Sequence, residues 1–244
     1  HLDPLWSDPN IDFVGIDNYM PLSDWRDGDT HADAGWNSIY ELDYLRANIA
    51  GGEGYDWFYR SPEADAAQIR TPITDEEHDE AWVWRFKDIR NWWSQAHHER
   101  IGGVRAGTPT DWEPGSKPIW FTELGCAAVD KGTNQPNKFL DKKSSESGLP
   151  KYSTGARDDL IQKQYLRAMN SFWSDATNNP LSEMYEGQMV DMTRAFVWAW
   201  DTRPYPFFPN AIETWSDGEN YPRGHWVNGR TSARTLASVV GEIC

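Results

Sequence analysis

Three short apolar runs constrain the fold of this 244-residue chain more than any other feature. They are Ile11–Met20 (IDFVGIDNYM), Pro118–Gly125 (PIWFTELG) and Ala195–Asp201 (AFVWAWD). Each is apolar at its start and turns polar toward its end. Continuous apolar strands of this kind suit a parallel sheet covered on both faces, with helices between the strands. Parallel strands send their C-terminal ends to one side, so the polar groups that finish the runs collect on one rim. Glu123 stands at the end of the second run, before Gly125. A strand-end glutamate can equally cap a helix or face water, so the local sequence leaves its role open.

Helical spacing fills the intervals. Asn37 or Ser38 is placed to cap a helix through Ile39, Leu42, Leu45 and Ile49, stopped by Gly51-Gly52. Further helices are expected over Pro62–Arg70, over Lys87–Ala96 with Ile89, Trp92 and Trp93 inward, and over Asp158–Asp175. In the last, Leu160, Ile161, Tyr165, Met169, Phe172 and Trp173 recur at helical period. Trp84 also reads as core. Gly102–Gly115 reads as loop, and Asp130–Gly155 as a long excursion over the rim. Ser232–Ile243 suits a terminal helix. The expected class is α/β, a (β/α)8 TIM-barrel-like fold. A doubly wound sheet is the rival, but no phosphate-binding loop follows a strand. A barrel takes eight strands in typically about 250 residues, and only three strong strands are present. The expectation is therefore the C-terminal part of a barrel over residues 1–229, which the family resemblance described below numbers as strands six to eight, with 230–244 a terminal helix or linker. A start at His1 rather than Met fits a piece of a longer polypeptide.

Composition narrows the function. The net charge of −15 argues against nucleic acid, whose phosphates need a basic patch, and suits a neutral or cationic ligand. No apolar run approaches the roughly 18 residues of a membrane span, and no secretory leader is visible. Cys126 and Cys244 form no CxxC or disulfide framework, and Cys126 reads as a small buried residue. His97 and His98 are adjacent, so they cannot share a helix face as metal ligands do. Without GxGxxG, a P-loop or GxSxG, no cofactor and no metal are expected. The anomaly is aromatic: 15 Trp, 10 Tyr and 9 Phe. Tryptophan offers a broad flat face with a polar N–H, which matches the C–H faces and hydroxyl edges of sugars.

The strand ends resemble those of (β/α)8 glycoside hydrolases of the large retaining clan. Thr122-Glu123-Leu124-Gly125 is similar to the setting of the strand-seven nucleophile, Tyr19 to the strand-six aromatic hydroxyl, and Trp198 or Trp200 to the tryptophan that floors the sugar subsite. A longer resemblance runs through Phe13–Trp25, Lys117–Gly125 and Ala195–Asp201 and covers nearly the whole chain. It is to the TIM-barrel-like domain of gene transfer agent and phage-like tail proteins, large baseplate or host-specificity proteins. That resemblance implies the tail of a virus-like particle, made in the cytoplasm and acting at the bacterial cell envelope. The implied partners are peptidoglycan or surface polysaccharide and other tail or baseplate subunits. The implied site has Glu123 as nucleophile with Tyr19 beside it, and Asp17, Asn18, Trp25, Trp120, Trp198, Trp200 and Asp201 as substrate-binding residues.

A retaining mechanism needs a second carboxyl group, which the clan takes from strand four, expected upstream of His1. Asp17 and Asp201 are the substitutes within the chain, although Asp17 better fits an orienter of Tyr19 or a loop amide, and Asp201 an anchor of Arg203 or of a loop. Three functions remain: a retaining glycosidase, a non-catalytic glycan-binding or structural baseplate module, and an inverting hydrolase pairing Glu123 with Asp17 or Asp201.

Overall fold

In chain order the elements are α1 (Asp3–Trp6), β1 (Val14–Asn18), α2 (Leu42–Ala47), β2 (Trp57–Phe58), α3 (Pro62–Ala66), β3 (Thr71–Pro72), α4 (Ile89–Ser94), β4 (His98–Ile101), β5 (Val104–Pro109), β6 (Ile119–Leu124), α5 (Asp159–Trp173), β7 (Val190–Val197) and α6 (Phe207–Asn210). They come from a computed structural model that describes residues 2–227. The expected terminal helix over Ser232–Ile243 lies outside the described residues.

The three apolar runs form one parallel sheet in the order β1-β6-β7. Two antiparallel pairs, β2–β3 and β4–β5, lie apart from it. Alternation along β6 sends Ile119 and Phe121, both fully buried, toward α5. The Asp158 side chain caps α5 by accepting from the Ile161 N–H at 3.0 Å. From that start, Ile161, Tyr165, Ala168, Met169 and Trp173 form the buried stripe of the helix. Phe121 meets Trp173 edge-to-face at 5.9 Å. Each such side chain contributes about 1.5–3 kcal/mol by leaving water.

A bulge in β6 decides where the acid points. Ile16 pairs with Phe121, but Asp17 pairs with Glu123, so Thr122 is an extra residue. Without it, Glu123 would follow Ile119 and Phe121 into the helix-packed face. The extra residue reverses the alternation, burying Leu124 and turning Glu123 to the other side.

That other side is open. Gly15, Asp17, Arg194 and Phe196 are exposed there, and Phe13 stacks on Trp120 at 3.7 Å with the Arg194 guanidinium 5.1 Å from the same ring. The expected cover on both faces is thus found on one face only among the described residues. β1 and β7 each pair along one edge.

Other expectations are corrected. Gly102–Gly115 is not all loop. It carries most of the β4–β5 hairpin, which turns at Gly102-Gly103 with φ of 61° and 83°. Glu80 clamps that hairpin through Arg100 and Arg105. α2 is shorter than its apolar spacing suggests, and neither Asn37 nor Ser38 caps it. Ser38 Oγ instead accepts from the Tyr40 N–H. Trp84 is half exposed beneath Arg100 rather than in the core. β7 begins at Val190 and ends at Val197; its first half, carrying Asp191, Thr193 and Arg194, lacks the apolar run that marks its second half. Trp198, Trp200 and Asp201 therefore lie beyond the strand. The excursion is fastened down: Thr133 and Asn134 are buried, and the Asp130 carboxylate accepts from Ser153, Thr154 and Ala156.

Candidate functional site

The site begins where β1 and β6 end side by side. Asn18 is buried; its Oδ1 accepts from the Met20 N–H at 3.2 Å, and its carbonyl accepts from the Tyr165 hydroxyl at 3.2 Å. These bonds fix the turn that carries Tyr19 to Glu123. The Tyr19 hydroxyl donates to Glu123 Oε2 at 2.5 Å. Burial, and then that same hydrogen bond, push the phenol well above its ordinary value, so Tyr19 stays a donor across the working pH range. Glu123 Oε1 has no hydrogen-bond partner among the described residues. Beside the pair, Asp17 Oδ1 accepts from Thr122 Oγ1 at 2.8 Å. Asp17 thus orders the bulged residue next to Glu123.

Tyr19 also packs edge-on against His225, ring centres 5.3 Å apart. His225 is buried, and its Nε2–H donates to the Pro136 carbonyl at 2.5 Å. Burial lowers its pKa to about 4, so the ring is neutral at pH 7. The Tyr19–His225 contact joins two cavities. Tyr19 lines one of about 590 Å³ with Asp17, Met20, Glu53, Phe86 and Lys151. His225 lines one of about 450 Å³ with Trp198, Trp200, Asp201, Arg203 and Trp226.

The second cavity is the aromatic one. Trp198 and Trp200 are each about half exposed. The Trp198 N–H donates to the Leu124 carbonyl at 2.9 Å, and the Trp198–Ala199 peptide is cis. A Cβ on Gly125 would stand 2.5 Å from the Trp198 carbonyl oxygen, so only glycine lets the two chain segments approach. Asp201 accepts from Trp226 Nε1 at 3.0 Å and from Arg203 at 2.6 Å, and Arg203 reaches on to Asp217 at 2.7 Å. Asp201 is therefore an anchor of Arg203, one of the two structural roles its sequence position suggested, and it positions Trp226 as well.

A strand-end acid, its tyrosine partner and an aromatic cavity thus share one rim of a parallel sheet. The family model of the GTA (gene transfer agent) TIM-barrel-like domain matches residues 1–209. The chain belongs to that family. Membership makes it a gene transfer agent related protein with a TIM-barrel-like α/β domain. No curated protein matches the chain. No helix among the described residues is long and apolar enough to cross a membrane.

In this GTA TIM-barrel-like domain the residues singled out from sequence are only partly brought together. Tyr19, Glu123 and Asp17 form one cluster; Trp198, Trp200 and Asp201 form the neighbouring one. Trp25 lines neither cavity: its ring packs on His31 at 4.4 Å and Tyr44 at 5.6 Å. Trp120 lies on the open sheet face against Phe13, away from both. Asn18 serves the turn rather than the cavity.

Sequence reasoning missed Glu53, Phe86, Lys151 and His225. Glu53 sits in Gly51-Gly52-Glu53-Gly54, where glycines signal only a helix stop, and its partner Lys151 is 98 residues away. Such a pair has no local signature. Beneath the larger cavity, buried Lys87 donates from Nζ to the Pro21 carbonyl at 2.7 Å, and burial lowers its pKa to about 7. Among the described residues no cluster of His, Cys, Asp or Glu could hold a metal ion.

Proposed function

We propose that this domain acts on cell-envelope glycan, peptidoglycan or surface polysaccharide, as a retaining glycoside hydrolase of a phage-like tail. The observation that carries the reading is the 2.5 Å bond from Tyr19 to Glu123 beside the aromatic cavity. Tyr19 fixes one carboxylate oxygen and leaves Oε1 for attack. In the proposed reaction Oε1 adds to the anomeric carbon as the glycosidic C–O bond breaks, and an acid/base carboxyl group protonates the departing oxygen. Water, deprotonated by that same group, then cleaves the glycosyl ester. Trp198 and Trp200 floor the sugar. The sheet is one sector of a barrel whose further strands pair with the free edges of β1 and β7 and cover the open face. One of those strands brings the acid/base group.

The test is an assay of the full protein that carries this domain, as wild type and Glu123→Gln, on peptidoglycan and aryl glycosides. Loss of a nucleophile lowers kcat by about 10⁴-fold or more while sugar binding survives. Equal rates for the two proteins sink the reading.

One observation favours a non-catalytic glycan-binding or structural baseplate module instead. The two candidate partner carboxylates have other work, Asp17 with Thr122 and Asp201 with Arg203 and Trp226. That module binds oligosaccharide or tail subunits with no turnover, and Glu123→Gln leaves its affinity unchanged.

A further inference from the structure

We propose that the cavity bounded by Asp17, Tyr19, Glu53, Phe86 and Lys151 is a second saccharide subsite, selective for sugar units that carry an amino group. It rests on the glycan reading of the Glu123 site and adds to it the class of sugar.

The floor of the cavity is aromatic and fixed. Phe86 is 60% exposed, yet its ring lies against the backbone of Gly54, where a Cβ would stand 2.0 Å from the ring. Glycine at 54 therefore holds the ring in place with its surface presented to the cavity. A flat apolar face of this kind takes the C–H side of a sugar ring, and it also attracts a cation.

The polar edge is built to accept. Glu53 uses Oε1 for Lys151 at 3.1 Å, and Asp17 uses Oδ1 for Thr122 at 2.8 Å. Their second oxygens, Glu53 Oε2 and Asp17 Oδ2, have no hydrogen-bond partner among the described residues. Among the described residues Lys151 is the one cation that lines the cavity, and it already serves two carboxylates, Glu53 at 3.1 Å and Asp65 at 3.2 Å. Lys87 lies beneath and is turned to the Pro21 carbonyl. Among the described residues the cavity thus offers two unsatisfied carboxylate oxygens and no free cation. An ammonium group meets that need, a neutral hydroxyl meets part of it, and an anionic sugar is repelled. The exposed Asn137 amide, without a partner among the described residues, remains for a neighbouring hydroxyl.

Calorimetric titration of the full protein at pH 6 decides the matter, with glucosamine oligomers as cationic probe, N-acetylglucosamine oligomers as neutral probe and oligogalacturonate as anionic probe. The expected order is cationic about tenfold tighter than neutral, with the anionic probe silent. Phe86→Ala should weaken the first two by about tenfold, and Glu53→Gln should erase the preference for the amino sugar. Asp17→Asn, at an exposed position, repeats that charge test should Glu53→Gln fail to fold by circular dichroism. Anionic oligomers that bind as tightly as cationic ones overturn the proposal. So does a Phe86→Ala protein that keeps full affinity while Trp200→Ala loses it, an outcome that leaves the glycan reading standing. Absence of binding to all three probes removes the glycan reading together with the subsite.

Discussion

Behind the central sheet, Ile119, Phe121, Ile161, Tyr165, Met169 and Val190 meet at 1% exposure or less. At its rim, the loops after β1 and α2 are joined by charge. The buried Asp24 carboxylate accepts from Tyr59 at 2.5 Å and from Gln68 and Arg70 at 2.9 Å, with Arg26 at 3.4 Å. Arg26 continues to Asp65, Arg70 to Asp33, and Lys151 to Asp65 and Glu53. The back is apolar contact and non-directional, so it supplies stability. The rim is directional, and the desolvation of its ions offsets much of their attraction. It supplies position, which a binding site needs more.

The sharpest way to break this division is to remove one ring from each face of the sheet. Phe121→Ala empties a fully buried site and should cost about 3–5 kcal/mol in urea unfolding. Phe196→Ala, on the open face and half exposed, should cost less than about 1 kcal/mol in the isolated domain. Comparable losses would mean that the two faces are equally covered, contrary to the exposure of Gly15, Asp17 and Phe196.

The same division explains what could be read from the chain. β1, β6 and α5 were legible because burial demands continuous apolar residues in strands and a regular stripe in a helix. Strand β7 was legible only in its apolar second half. The β4–β5 hairpin was invisible because Arg100 and Arg105 face charge and Thr108 faces water, although Gly102-Gly103 did mark its turn. At the site, Tyr19 and Glu123 came from strand ends and a family resemblance. The bulge at Thr122, which turns Glu123 away from the helices, could not be read, since it depends on register with β1. Glu53, Lys151 and His225 act through partners 98, 98 and 89 residues distant, and nothing local encodes those meetings.

A second contrast concerns the rim itself. Burial alone would raise the Asp24 carboxyl, but hydrogen bonds from Tyr59, Arg70 and Gln68 hold it below the usual carboxylate range. Asp24→Asn keeps the shape and removes the charge, leaving Arg70 and Arg26 short of a partner. Breaking a buried pair of this kind should cost about 3 kcal/mol. The loss should be local: amide exchange quickens over residues 24–35 and 57–70 while β6 and α5 keep their protection. Uniform loss of protection would show that the rim carries the stability assigned to the back.

The smallest effect separates the two regions by pH. At the back, burial raises both Tyr165 and Cys126, so neither of these two titrates between pH 5.5 and 7. At the rim, His225 has its pKa lowered from 6.5 to about 4. The unfolded chain therefore binds a proton that the native ring refuses, and stability falls as pH drops from 6.5 toward 4. Between pH 7 and 5.5 the loss is about 1.2 kcal/mol from these two values. Lys87, lowered from 10.5 to about 7, acts with the same sign but mostly above pH 7, and adds about 0.4 kcal/mol over the same window. His225 is thus the larger contributor. Thermal melts of wild type and His225→Gln at pH 7 and 5.5 should show the wild type losing the more, by roughly that 1.2 kcal/mol, since glutamine can still donate to the Pro136 carbonyl. Parallel losses in the two proteins would place the acid sensitivity elsewhere and leave the Tyr19–His225 contact without a part in it.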